Sequence, residues 1–308
     1  MTSNDISHRI VADLLEARTG QHMSENRRWR ITTALAGLLR ERGLTNVDQL
    51  VCLLAEPDAG SLARQVVEAL LNNETYFFRD RTMFENLGAH VLPQIAQQRR
   101  ASRRLAIWSA GCSTGQETLS LAMMLADEPE RWRDWTIEIV ATDISHSAIE
   151  AARSACYSQF EIQRGLRVKQ MLAHFDETPD GWVAKQGLRT MIRYKVRNIL
   201  DPVEIAERFD LILCRNLLLY FAPDRRASAF DRLAQALRPD GWLWLGAGET
   251  AEGRTTRFAA TQARQGLYRP TCVQEAKTMR VLPRCSELAL GHAAPAGADS
   301  TPLKAARL

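Results

Sequence analysis

Between Leu105 and Leu245 short apolar runs alternate with stretches of helical periodicity, and few folds accept that rhythm. Leu105 to Ser109 reads as a buried strand, Gln116 to Ala126 as a helix, Thr136 to Thr142 as a strand ending in Asp143, and Ser145 to Arg153 as a second helix. Strands recurring at this spacing predict a parallel sheet covered by helices on both faces. The region from Tyr157 to Arg193 breaks the rhythm. It is polar, carries the turn signal Pro179-Asp-Gly, and has alternating pieces at Trp182 to Lys185 and Thr190 to Tyr194, so a small antiparallel insertion at about 157–194 is expected. The sheet then resumes with Tyr194 to Ile199 and Phe209 to Cys214. Pro223 to Leu237 reads as a helix closed by Pro239-Asp-Gly241, Gly241 to Leu245 as a strand, and Phe258 to Thr261 with Gly266 to Tyr268 as a final pair.

Residues 5 to 71 carry a different pattern. Ile10, Val11, Leu14 and Leu15 form one helical stripe; a second, capped at Ser24, uses Ile31, Leu35, Leu38 and Leu39 and stops at Gly43. Val47 to Ala55 and a Ser61-capped segment with Leu62, Val66, Val67, Leu70 and Leu71 complete a small bundle. With 308 residues, of which 45% are apolar, the chain has room for this bundle (residues 1–82, with the start of a linker) and a larger domain (83–271). A connecting helix from Met83 to Gln98 leads to a basic patch at Arg99, Arg100, Arg103 and Arg104. From Cys272 to the end, small and polar residues without periodicity predict a poorly ordered tail.

The formal charge of +4, carried mostly by arginine, favours acidic partners. Arg27, Arg28 and Arg30, with Arg40 and Arg42, mark the outer face of the bundle as either a solvated surface or a docking surface for an acidic helix. The six cysteines are widely spread, with no Cys-x-x-Cys and no paired histidines, so free thiols in a reducing compartment and no metal are expected. No basic leader precedes an apolar run and no apolar stretch reaches membrane-spanning length, so a soluble cytoplasmic protein is expected.

In open α/β sheets ligands sit beyond the carboxyl ends of the strands. Gly111-Cys-Ser-Thr-Gly115 and Glu117, then Asp143, Asn198 and Arg215-Asn216 fall there. A glycine-bounded turn lets backbone approach a ligand closely, and an acidic residue ending the second strand suits a ribose diol; the alternative for Asp143 is a helix-capping role beside Ser145. The turn lacks both the Gly-x-Gly-x-x-Gly of dinucleotide sites and the Gly-Lys-Ser/Thr of a Walker loop. Glu117 at the helix start repels a phosphate and pairs with an ammonium, which favours S-adenosylmethionine among adenosine ligands. Upstream, Asn73 to Asp80 (Asn-Glu-Thr-Tyr-Phe-Phe-Arg-Asp) interrupts the helices and presents aromatics and Arg79, a lid over that floor. Here too plainer roles compete: Asn73 as a cap of the preceding helix, Phe77 or Phe78 as interdomain core, Cys112 and Cys214 as buried fillers.

In this order, Asn73-Glu-Thr-Tyr-Phe-Phe-Arg79, Ser109-Ala-Gly-Cys-Ser-Thr-Gly-Gln-Glu117, Ala141-Thr-Asp-Ile144, Cys214-Arg-Asn-Leu-Leu-Leu-Tyr-Phe221 and Leu237-Arg-Pro-Asp-Gly241 resemble the CheR family, the chemotaxis receptor glutamate O-methyltransferases, over about residues 1 to 270. The resemblance implies a Rossmann-like class I S-adenosylmethionine-dependent methyltransferase domain with an inserted β-subdomain, preceded by an all-α domain. It implies that Asn73, Thr75 and Arg79 meet the cofactor from the linker, that Glu117 lies at its methionine end and Asp143 at its ribose, with Gly111 also among the cofactor-binding residues, and that Asn198, Ile199, Arg215 and Asn216 flank the adenine and the reacting centre. The implied product is a glutamyl methyl ester on the cytoplasmic part of a chemoreceptor, made by a monomer without nucleic acid. Because the acceptor carboxylate is already ionised at neutral pH, no general base is required. Arg79 is then the first candidate to grip that carboxylate, unless it serves the cofactor side, and Tyr220 is the second. Two departures stand out: Gln116-Glu-Thr-Leu119 replaces the usual Glu-Glu-Pro-Tyr, and Gly246-Ala-Gly-Glu249 a Gly-x-Ser-Glu. A non-catalytic cofactor-binding module, or a methyltransferase acting on another acidic protein or on nucleic acid, remains the alternative. Against nucleic acid, Asn216 is followed by Leu-Leu-Leu-Tyr rather than the Pro-Pro-aromatic turn of base N-methyltransferases.

Overall fold

A computed structural model describes residues 3–202, 208–261 and 266–271, so the expected tail from Cys272 lies outside the described residues. Four helices come first: α1 Ser3–Thr19, α2 Trp29–Glu41, α3 Val47–Leu54 and α4 Gly60–Leu70. Ile31, Leu35 and Leu39, one turn apart, bury the inner face of α2 against Val11, Leu50 and Val66. Two caps differ from expectation. Ser24 precedes a short 3₁₀ turn and makes no capping bond, and α4 begins at Gly60 behind Ala59, with Ser61 inside its first turn.

The linker leads into α5 Arg81–Asn86 and α6 Leu92–Gln98, which are joined by a widened π turn at Leu87–Val91 where one continuous helix was expected. Pro93 in the first turn of α6 cannot donate a backbone hydrogen bond, and the wide turn absorbs that gap.

The main domain follows in the order β1 Arg104–Ala110, α7 Gln116–Ala126, α8 Pro129–Trp132, β2 Thr136–Asp143 and α9 His146–Ser154. An insertion then contributes β3 Cys156–Tyr157, α10 Gln159–Gln163, α11 Val168–His174, β4 Phe175–Thr178 and β5 Gly181–Ala184. After α12 Gln186–Arg189 come β6 Ile192–Val196, β7 Phe209–Cys214, α13 Pro223–Ala236, β8 Leu237–Leu245, β9 Phe258–Ala260 and β10 Leu267–Pro270. The seven-stranded sheet has the order β6-β2-β1-β7-β8-β10-β9, the first five strands parallel and the last two antiparallel. Successive residues feed opposite faces. Ile107, Leu211 and Trp244 pack with the linker aromatics and α7, while Trp108, Ile212 and Leu243 pack with Phe230 and Leu233 of α13. The chain adds β2 and β6 on one side of β1 and β7 and β8 on the other, so the strand order reverses between β1 and β7 and the switch point of the sheet lies beside the Gly111 turn.

Three boundaries need correction. The antiparallel insertion sheet, β3-β5-β4, ends at Ala184, and Ile192–Val196 is the edge strand of the main sheet, parallel to β2. Its half-exposed alternation imitates an antiparallel strand because only one of its faces is covered. The strand stops at Val196, which leaves Asn198 in the following turn. Finally, β8 starts at Leu237: Phe209 pairs with Leu237 and Leu211 with Trp242, so Arg238 to Gly241 bulge out and accommodate Pro239. Part of the predicted basic patch is structural. Arg99 joins Asp210 (2.6 Å) to Asp240 (2.5 and 2.8 Å), and Asp210 accepts the Ala106 N–H, pinning the ends of the strands remote from the switch point.

Candidate functional site

The turn after β1 is shaped by its two glycines. Gly115 sits at φ +95°, and a side chain there would press on Ala152 and on the hydroxyls of Tyr194 and Tyr157. Gly111 and Cys112 donate their N–H groups to the Thr142 carbonyl, which ties the turn to the end of β2. Ser113 donates its N–H to Asp143 Oδ2 (2.8 Å) and its hydroxyl to the Asn73 carbonyl (2.7 Å), so the linker is fastened to the turn. Asp143 Oδ1 accepts the Ser145 N–H (3.0 Å). Burial pushes the Asp143 carboxyl above its ordinary value, partly offset by the N–H groups of Ser145 and Ser113. Ser145 itself caps α9, accepting the Ala148 N–H, and gives its hydroxyl proton to Glu68 of α4 (2.7 Å). Glu68 also accepts the His146 N–H (2.7 Å), so the helical bundle plugs the start of α9.

Glu117 opens α7 at the cleft floor. Its Oε1 accepts from the Ser109 hydroxyl (2.8 Å) and its Oε2 pairs with Arg215 Nη1 (2.9 Å). Arg215, 2% exposed at its side chain, also reaches Asp80 (2.7 Å) and the Arg79 carbonyl (2.8 Å), and its guanidinium lies 4.7 Å from the centroid of Trp244. It therefore stitches linker, helix start and sheet end together. The linker is held from the other side by the insertion. Phe77, fully buried, meets Tyr157 and Phe175 edge-on at 5.0 and 5.5 Å, Glu74 pairs with Arg164 at 2.5 Å, and Arg81 donates to the Gly165 carbonyl. Phe77 and Phe78 are core, as the plainer reading had it, and Phe78 and Asp80 take left-handed backbone at φ +51° and +61°. Tyr76 lies between two guanidinium groups, with Arg164 4.5 Å and Arg79 5.7 Å from its ring centroid.

One cleft gathers all eleven sequence candidates: Asn73, Thr75, Arg79, Gly111, Glu117, Asp143, Asn198, Ile199, Arg215, Asn216 and Tyr220. Asn73 sends its amide to Ser145 (3.3 Å) and does not cap α4. Arg79 donates to the Glu74 carbonyl (3.0 Å), and the Tyr220 hydroxyl accepts from Asn72 (2.6 Å). Asn198 donates to the Thr19 carbonyl (3.1 Å). Among the cleft residues that sequence reasoning missed are Thr19 and Gln21 at the end of α1, Asn72 and Tyr76 in the linker, and Arg197 after β6. Gln21 bridges Phe221, and His22 donates its N–H to the Tyr220 carbonyl (2.7 Å). Nothing local in the sequence announces that contact, since it joins residues two hundred positions apart. The departures at 116, 118 and 119 do not line the cleft. Gln116 accepts from Thr114, and Thr118 bonds the Gly115 carbonyl and the Tyr194 hydroxyl, behind the turn.

The donor set fits an adenosine ligand with an ammonium end. Glu117 at the start of α7 and Asp143 at the end of β2 supply acceptors on either side of the Gly111 turn. The CheR methyltransferase SAM-binding domain matches residues 73–267. Chemotaxis protein methyltransferase Cher2 of Pseudomonas putida is 31% identical over 272 residues, covering 87% of this chain and 98% of that protein. Chemotaxis protein methyltransferase 1 of Pseudomonas aeruginosa matches with the same identity and coverage. The Vibrio parahaemolyticus chemotaxis protein methyltransferase is 29% identical, covering 87% of this chain and 97% of that protein. Both the cleft's chemistry and relatives matched almost end to end lead to one assignment: this chain belongs to the CheR family of S-adenosylmethionine-dependent methyltransferases.

Proposed function

We propose that this protein esterifies glutamate side chains on the cytoplasmic domain of chemoreceptors, working in the cytoplasm with S-adenosylmethionine as methyl donor. One observation carries the reading: Arg79 and Tyr220 border the same cleft as Glu117 and Asp143, and among the described residues no histidine, cysteine or lysine lines it. These two carboxylates are already engaged, Glu117 by Ser109 and Arg215 and Asp143 by the N–H groups of Ser113 and Ser145, which suits an acceptor that needs no base, and a carboxylate with an ordinary pKa near 4.3 is such an acceptor. Bound in the cleft, S-adenosylmethionine supplies a methyl group activated by its sulfonium. Glu117 and Asp143 are the residues to hold its ammonium and ribose, with Asn73, Thr75, Asn198, Ile199 and Asn216 around them. The protein's remaining task is alignment of the incoming oxygen, which by itself accounts for a large share of such accelerations. Arg79 spends one N–H on the Glu74 carbonyl and keeps others for the carboxylate, while the Tyr220 hydroxyl, accepting from Asn72, still has its proton to donate.

Partner docking falls to the bundle. Arg27 and Arg30 are exposed at the start of α2 on either side of Trp29, itself 68% exposed, and Arg28 makes only a long contact with Glu25 (3.4 Å). Arginines flanking an exposed indole suit an acidic helix. Esterification removes a negative charge from that helix, which is how the modification would tune signalling. The test is transfer of labelled methyl from S-adenosylmethionine to receptor-bearing membranes, released by alkali as an ester yields methanol. Absence of alkali-labile label, with cofactor binding intact, refutes the reading.

A further inference from the structure

We infer that Glu249 is a positioning residue for this cleft, its carboxylate anchoring the loop from Asn216 to Tyr220. The inference rests on the reading of the cleft as a cofactor and carboxylate site. Glu249 does not line the cleft, whereas Asn216, Leu217 and Tyr220 do. Four backbone N–H groups converge on its two oxygens. Oε2 accepts from Asn216 (2.7 Å) and Gly246 (3.0 Å), and Oε1 from Leu217 (2.9 Å) and Leu219 (3.3 Å). A ring of amides around one anion is a nest, and here the protein fills it with its own side chain.

The need for an anchor follows from the backbone. β7 ends at Cys214, and Asn216 turns the chain at φ +58°, a left-handed conformation that asparagine tolerates better than other non-glycine residues and that its neighbours must still hold in place. Without the carboxylate, the N–H groups of Asn216, Leu217 and Leu219 point at one another's positive ends. Position 246 is fitted to the same contact: a Cβ there would lie 2.8 Å from Glu249 Oε2 and 2.9 Å from the Asn216 nitrogen. The loop's far end has separate fastenings, Asn72 on the Tyr220 hydroxyl and the His22 N–H on the Tyr220 carbonyl. Loss of Glu249 thus frees one end of a loop that stays tethered at the other, so the protein folds while the cleft loses its shape.

The experiment compares Glu249→Gln and Glu249→Asp with wild type, using titration calorimetry with S-adenosylhomocysteine, methyl-transfer kinetics and amide exchange. Glutamine is the sharp probe, because its NH₂ faces N–H donors where an oxygen accepted before. Expected for Glu249→Gln are a tenfold or greater loss of S-adenosylhomocysteine affinity, a lower kcat, and faster exchange at 216–219 with that of β7 unchanged; Glu249→Asp falls in between. Exposed Glu252→Gln changes none of these. A role confined to stability would lower only the melting temperature. If Glu249→Gln does not fold, Gly246→Ala crowds the same contact with the carboxylate retained and is expected to weaken binding at least threefold. Affinity and kcat within twofold of wild type in whichever variant folds overturn the inference. A wild type that binds no S-adenosylhomocysteine overturns the reading of the cleft as well, so the two failures are told apart.

Discussion

Replacing Arg215 with methionine isolates the contact that joins the linker to the cleft floor. Methionine keeps much of the packing on Trp244 and Phe84 but removes the charge from between two carboxylates. Asp80, a third exposed at its side chain, regains water and contributes little to the loss. Glu117, 12% exposed, meets water only at the cleft floor, and an orphaned buried partner of an ion pair costs up to about 3–5 kcal/mol. At roughly 2–4 °C per kcal/mol for a domain of this size, the melting temperature should fall by up to about 6–20 °C, measured by circular dichroism without ligand. Adding Glu117→Gln to Arg215→Met removes the stranded charge and should recover a good part of that loss, since deleting both partners of a buried pair is far less costly than deleting one. A single variant melting within about 2 °C of wild type, or a double variant showing simple addition of two losses, would falsify the account of Arg215 as the counter-charge of Glu117.

Three further outcomes are expected. Arg79→Ala should lower kcat/KM for methyl transfer by about 10- to 150-fold, the worth of a charge-assisted hydrogen bond, with Tyr220→Phe milder; steady-state assays with receptor membranes would show equal rates if neither side chain grips the acceptor. Reversing Arg27, Arg28 and Arg30 to glutamate should weaken receptor methylation about tenfold or more and flatten its salt dependence, leaving S-adenosylhomocysteine affinity intact; unchanged methylation removes the docking face. Because burial holds the Asp143 carboxyl above its ordinary 3.8, protons compete with the ribose hydroxyls sooner than at an ordinary aspartate. Affinity for S-adenosylhomocysteine should therefore fall as pH drops toward that raised value, whereas Asp143→Asn binds weakly and without that slope; parallel profiles by calorimetry would contradict the assignment.

The legible parts of this molecule were those written in local pattern. Strand β7 and helix α7 have the predicted limits because parallel strands buried on both faces are continuous apolar runs between turn residues. The eleven cleft residues lie at strand ends or in one linker motif, where position along the chain already implies position in the sheet. What escaped notice was relational. β6 alternates like a strand of the insertion, and only its partner β2 decides otherwise. Thr19 closes α1 and Gln21 lies just past it, an ordinary helix end, and Glu249, legible only as the last residue of a Gly-x-Ser-Glu-like stretch, shows what it holds once four amides are found around it. Arg215 lines the cleft and also makes three hydrogen bonds inside the protein, one of them to Glu117, a pairing across the fold that has no local signal.

The reach of α1 into the cleft has a bearing on how such enzymes can be cut and recombined. Thr19 and Gln21 furnish part of the wall, the backbone at His22 grips Tyr220, and Glu68 closes the start of α9. The sheet-bearing part by itself accordingly lacks a piece of the cleft wall. A chimera that exchanges bundles has to carry the seam at residues 19–22 and position 68 along with the sheet, or it loses part of the cleft together with the old bundle.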